Sequence, residues 1–164
     1  METSSKSSVE LGILNEAEVI ALGEKFSQCL LQLSTIILSG EIGSGKTTFV
    51  RGVVKGLGCD PLIVTSPTFT VMNIYNCKKT VFHVDAYRLN SMEEIFYIME
   101  GELEDIDGIF LIEWGDMFEG FFGDNTLILR FQHVDNEHRK LTLVGPCELV
   151  NSFKNCIEGR KTKS

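Results

Sequence analysis

The chain has 164 residues, 43% of them apolar, the size of one ordinary domain with enough apolar material for a proper core. Its 15 basic residues stand against 23 acidic ones, a formal charge of -8. Apart from the tail around Arg160 the basic residues form no block, which excludes a broad electrostatic footprint for nucleic acid and makes any contact with RNA indirect.

In chain order, residues 1–8 are expected to fray, and residues 16–33 carry Val19, Leu22, Phe26, Leu30 and Leu33 at helical spacing. A short β-branched run at 35–39 predicts a buried strand, and the glycine-rich stretch "GEIGSGKTT" follows it. Phe49, Val50, Val53, Val54 and Leu57 then recur on one helical face until Gly56-Leu57-Gly58 stops the helix. Residues 66–75 and 80–85 read as two strands around a polar turn. A helix over 91–99 is capped by Ser91 with Glu94 at its third position. Residues 109–113 form another apolar strand, 126–131 and 140–144 form two strands about a charged turn, and 148–157 form a closing helix. Residues 158–164 are expected to fray. With no repeat or low-complexity linker, the organisation is one α/β domain, 1–164, with a mixed sheet.

The five cysteines are odd in number and never spaced C-x-x-C, which argues against a disulfide framework and a zinc site and predicts reduced, mostly buried thiols. The N-terminus has no apolar signal core, and no apolar run is long enough to span a bilayer, so a cytoplasmic chain without membrane contact is expected.

Gly40, Gly45, Lys46 and Thr47 fill every fixed position of G-x-x-x-x-G-K-[ST], and the context is strand, loop, helix. Without Cβ atoms the loop can wrap tightly and aim successive N–H groups at phosphate oxygens, helped by the positive end of the helix that starts near Lys46. The expected nucleotide cradle is Gly40, Glu41, Ile42, Gly43, Ser44, Gly45, Lys46, Thr47 and Thr48. Lys46 neutralises the outer phosphates, and the Thr47 hydroxyl ligates a Mg²⁺ that keeps most of its waters.

Such a cradle needs a further acid at the end of a neighbouring strand, to hold a magnesium water or to prime the nucleophile. "GIFLIEWGD" puts Glu113 at the end of an apolar run, where a parallel strand opens onto a ligand crevice. "VFHVDAYRL" puts Asp85 in the same sort of place. His83, alternating with Phe82 and Val84, reads as a sheet residue and not as a ligand. Trp114 is expected to pack beside the site and Asp116 to cap a helix. Thr68 reads equally as a hydroxyl that senses the last phosphate or as a strand entry beside Pro67, and Arg88 as a phosphate or partner contact or as a solvated side chain.

The stretches "GEIGSGKTTFVRGVVKGLG", "VTSPTFTVMNIY", "FHVDAYRL" and "LIEWGD", in that order and spacing, resemble the TsaE (YjeE) ATPases of bacterial tRNA threonylcarbamoyladenosine biosynthesis. The resemblance implies a P-loop NTPase-like three-layer sandwich around a mixed, largely parallel central sheet. It also implies hydrolysis of ATP with Mg²⁺, and work alongside the TsaD and TsaB proteins. On it, Thr47 and Glu113 fall on the family's magnesium ligands, Asp85 on the aspartate that positions the attacking water, and residues 66–70, with Ser66 and Thr68, on a switch-like stretch. Val19 stands where a threonine near the adenine is usual, and Met99 where a glycine is usual, so no adenine contact is carried over.

Two other classes share the phosphate loop. A small-molecule kinase would use Asp85 as a base and Arg88 as a clamp, but the five arginines do not cluster into a lid. A scaffold gated by nucleotide without hydrolysis needs no further residue. A GTPase is disfavoured because Asp105-Ile106-Asp107-Gly108 precedes its strand and no N-K-x-D occurs.

Overall fold

A computed structural model describes residues 6–29, 35–41, 43–67, 71–86, 97, 108–113 and 126–159. The elements run β1 (Lys6–Leu14), α1 (Glu16–Ser27), β2 (Thr35–Ser39), α2 (Lys46–Gly56), a 3₁₀ turn (Pro61–Ile63), β3 (Met72–Asn76), β4 (Thr80–Asp85), β5 (Gly108–Glu113), β6 (Thr126–His133), β7 (Arg139–Pro146) and α3 (Cys147–Ile157). The strands make one seven-stranded sheet in the order β1-β7-β6-β2-β5-β4-β3. β2 pairs parallel to both β5 and β6, and β4 parallel to β5, whereas β3, β7 and β1 join antiparallel. The sheet is therefore parallel at its centre and antiparallel at both edges, a mixed, three-layer-like α/β arrangement.

Alternation divides the core. Ile36 and Leu38 of β2, Ile109 and Leu111 of β5 and Leu127 and Leu129 of β6 join Phe26, Phe49, Val53, Val150 and Phe153 from the helices in one large cluster. The intervening residues face the other way, into a cluster with Phe82, Val84, Phe110 and Ile112 and another with Ile37, Ile128 and Val144. Phe82 and Phe110 stack at 4.7 Å between ring centroids. Burial of both faces explains why the central strands read as continuous apolar runs and not as alternating ones.

α1 starts with a capping box. Asn15 Oδ1 accepts from the Glu18 N–H at 2.9 Å, and Glu18 Oε1 accepts from the Asn15 N–H at 3.1 Å. It lies directly on α2: a Cβ on Gly52 would come 2.2 Å from the Ile20 carbonyl oxygen, and one on Gly23 2.5 Å from that of Phe49. This backbone-to-backbone approach holds the first turn of α1 over the glycine loop.

Several expectations change. α1 closes at Ser27, where the Gln28 N–H returns to the Lys25 carbonyl and the Cys29 N–H to that of Phe26; residues 30–34 lie outside the described set. β1 is a strand absent from the sequence reading, and its first residues belong to the stretch expected to fray. They are fixed by pairing with β7 at the far end of the chain, from Lys6 against Pro146 to Leu14 against Arg139. β3 begins at Met72, later than the expected residue 66. Val71 before it has φ +67°, a turn conformation that a β-branched residue rarely takes. The expected helix over 91–99, and Trp114 and Asp116, lie outside the described residues, Tyr97 apart.

The expected reduced thiols are also corrected. Cys29 is bonded to Cys156 and Cys59 to Cys77, and Cys147 alone is free. The first bond ties the end of α1 to α3, and the second ties the loop after α2 to the β3–β4 turn. Separations of 127 and 18 residues give no pairing signal in sequence, whereas the fold brings the Cα atoms to 6.1 and 5.5 Å. Among the described residues no helix is long and apolar enough to cross a membrane.

Candidate nucleotide site

β2 ends at Ser39 and the chain turns through the glycine loop into α2, whose N-cap is Gly45 at φ +106°. Only glycine enters that left-handed conformation without penalty, and with no side chain of its own Gly45 makes no cap bond to the helix. No acidic residue occupies the first turn of α2 either. The helix thus starts without a side-chain cap, at the end where its dipole favours an anion.

Lys46, the first residue of α2, is 4% exposed. Its Nζ donates to the Gly40 carbonyl at 2.6 Å and lies 3.9 Å from Glu113 Oε1. A cation so deeply placed must be compensated. Here the compensation comes from the loop's own carbonyl and from the acid at the end of the next strand.

Parallel register brings the acids together. Glu113 at the end of β5 is the Cα partner of Leu38 on one side and of Asp85 on the other, so the ends of β2, β5 and β4 lie side by side at one edge of the sheet. Both carboxylates are nearly buried, Asp85 at 5% and Glu113 at 6% exposure. The Asp85 N–H donates to the Val71 carbonyl at 2.7 Å, and the Val71 N–H to that of Pro67 at 2.8 Å. Val71 thus links Pro67 to the backbone of Asp85. His83, the sheet residue of the sequence reading, is wholly buried with Nε2 2.5 Å from Glu113 Oε2.

A cavity of about 670 Å³ opens over the loop, lined by Gly43, Gly45, Lys46, Thr47, Thr48, Ser66 and Glu113. Thr68 and Arg88 lie outside the described residues, as does Ile42. Glu41 and Gly43 are exposed, whereas Ser44 is buried and its N–H donates to the Glu41 carbonyl at 3.1 Å. Thr47 and Glu113 both line this cavity and offer hard oxygen atoms, the kind of donor Mg²⁺ takes besides substrate phosphates and water. No cluster of three His, Cys, Asp or Glu that could hold a metal occurs among the described residues.

The cavity also has a wall that sequence reasoning missed. Asn15, Glu16, Ala17 and Val19 of the α1 entry face Asn136, Glu137 and Arg139 of the β6–β7 turn. Arg139 binds this turn to the loop: Nη1 donates to the Asp135 and His138 carbonyls at 2.8 and 2.9 Å, and Nη2 to the Gly43 carbonyl at 2.9 Å. Asp135 shapes the turn, and its carboxyl is held below the usual carboxylate value first by the Glu137 N–H and then by the His138 side chain. These residues lie some hundred positions apart and no local motif announces them.

A family model described as threonylcarbamoyl adenosine biosynthesis protein TsaE matches residues 13–141. The tRNA threonylcarbamoyladenosine biosynthesis protein TsaE of Haemophilus influenzae is 31% identical over 153 residues, 87% of this chain and 96% of that protein. The protein of the same name from Treponema pallidum is 34% identical over 121 residues, 74% of this chain and 89% of its own. Among solved structures, Bacillus subtilis YdiB superposes with a TM-score of 0.67 at 21% identity, over 97% of this chain and 98% of that one, a likeness of fold. With its motifs and its sheet in agreement, this chain belongs to the TsaE family of threonylcarbamoyl adenosine biosynthesis proteins.

Proposed function

We propose that the chain binds ATP with Mg²⁺ on the glycine loop and hydrolyses it in the service of tRNA threonylcarbamoyladenosine biosynthesis, acting through TsaD and TsaB and reaching tRNA only indirectly. The observation that carries this reading is the buried Lys46 at an uncapped helix N-terminus, with Glu113 beside it and Asp85 in register one strand further. On binding, the Lys46 ammonium turns from the Gly40 carbonyl to the outer phosphates while the first N–H groups of α2 take the remaining oxygens. Thr47 and Glu113 would hold Mg²⁺, which would supply compensation for the charge that builds on the phosphates. The Asp85 carboxylate accepts a hydrogen bond from the attacking water and holds it in line. The wall between α1 and the β6–β7 turn leaves room for base and ribose. With a net charge of -8 and no basic stripe, coupling to tRNA runs through protein, because Lys and Arg contacts supply most non-specific affinity for nucleic acid.

The test is phosphate release with ATP and with GTP, each with and without TsaD and TsaB. Release from ATP, faster with the pair and without any small acceptor, is expected. Release from neither nucleotide under any condition, or release that requires a small acceptor, would overturn the reading in favour of a gated scaffold or a kinase.

A further inference from the structure

Glu113 occupies a site where orientation is decided by few contacts. Its Oε1 faces Lys46 at 3.9 Å and its Oε2 faces His83 Nε2 at 2.5 Å. We propose that His83 is a positioning residue that fixes the rotation of the Glu113 carboxylate, presenting one oxygen to the loop and magnesium side while holding the other. The proposal rests on the reading of Glu113 as the metal-side acid.

The geometry supports this at three levels. β4 alternates, so His83 shares a face with Asp85, two residues on, and not with Phe82 and Val84, which pack on the other side of the sheet. The Cα partner of His83 is Leu111, and Glu113 lies two residues beyond on that same face, the diagonal position that a long side chain reaches. A carboxylate can only accept, so the proton between the two groups is on Nε2 and His83 is the donor. Nδ1 is buried and has no hydrogen-bond partner among the described residues, so the ring's polar contact is directed wholly at Glu113. The Tyr75 ring lies beside it at 6.2 Å. Tyr75 is itself fixed, its hydroxyl donating to the Thr65 carbonyl at 3.1 Å and accepting from the Thr65 N–H at 3.2 Å. The imidazole therefore has a set place and a single polar task. Partners that orient a metal-binding carboxylate in this way commonly change metal affinity about 10- to 100-fold when removed.

Two variants separate positioning from packing. His83→Gln sets an amide donor near the place of Nε2, whereas His83→Asn sets one near Nδ1, away from Glu113. Affinity for a non-hydrolysable ATP analogue is measured by calorimetry in Mg²⁺ and in EDTA, with thermal melts as the check on folding and Glu113→Ala alongside. His83→Asn is expected to lose about tenfold of the affinity gained from Mg²⁺ and to match wild type in EDTA. His83→Gln should retain most of that gain. If His83→Asn does not fold, His83→Leu, which fills the space without a donor, takes its place with the same expectation. A full magnesium gain in His83→Asn or His83→Leu, while Glu113→Ala loses it, overturns the positioning role alone. A full gain in Glu113→Ala overturns the metal-side reading and the positioning role together.

Discussion

Lys46→Ala is expected to weaken ATP binding by about 10- to 100-fold, while the domain remains folded. A charge-assisted hydrogen bond contributes about 1.5–3 kcal/mol, and 1.4 kcal/mol is a factor of ten in affinity. Two such bonds to the outer phosphates, less the charge-assisted bond to the Gly40 carbonyl that the ammonium gives up, leave about 1.5–3 kcal/mol, one to two powers of ten. The fold is expected to survive because Glu113 keeps His83 as a partner and the helices and sheet on either side are held by the large apolar cluster. Lys46→Met, which keeps the stem and removes the charge, separates lost packing from lost electrostatics and should bind as poorly. Calorimetric titration with ATP, beside a thermal melt, checks both variants. Binding as tight as wild type in either folded variant would remove the phosphate-loop assignment.

The two strand-end acids are expected to fail differently. Asp85→Asn is nearly isosteric and removes only the charge that orients water, so ATP binding should stay while hydrolysis falls by about a hundredfold or more, the scale of a lost positioned base. Glu113→Ala removes the carboxylate that lies between Lys46 and His83, so the dependence of binding on Mg²⁺ should weaken. Single-turnover hydrolysis and analogue binding over a magnesium series distinguish the two. The opposite pattern would exchange their roles.

These assignments were open to sequence reasoning because their signals are local. The loop declares itself within eight residues, and Glu113 and Asp85 each end an apolar run, which in a parallel sheet is the position facing the crevice. The strand β1 was not legible: its partner β7 lies at the other end of the chain, and its alternation is interrupted between Glu10 and Gly12 by a register shift. Arg139 and the α1 entry meet the loop only through tertiary packing, as do the paired cysteines. His83 had a partial signal, since a spacing of two from Asp85 puts both on one face, but its bond to Glu113 depends on the β4–β5 register, which one sequence does not state.

The central claim, that nucleotide bound at Lys46 serves the tRNA modification, is tested most directly by reconstituting threonylcarbamoyladenosine formation over many turnovers with TsaD and TsaB. The reaction is run with this protein, with Lys46→Ala, and with neither, and modified tRNA is counted per TsaD. The account predicts sustained accumulation with the wild-type chain alone, and early arrest in the other two. Equal accumulation with Lys46→Ala, or with no such protein added, would contradict it.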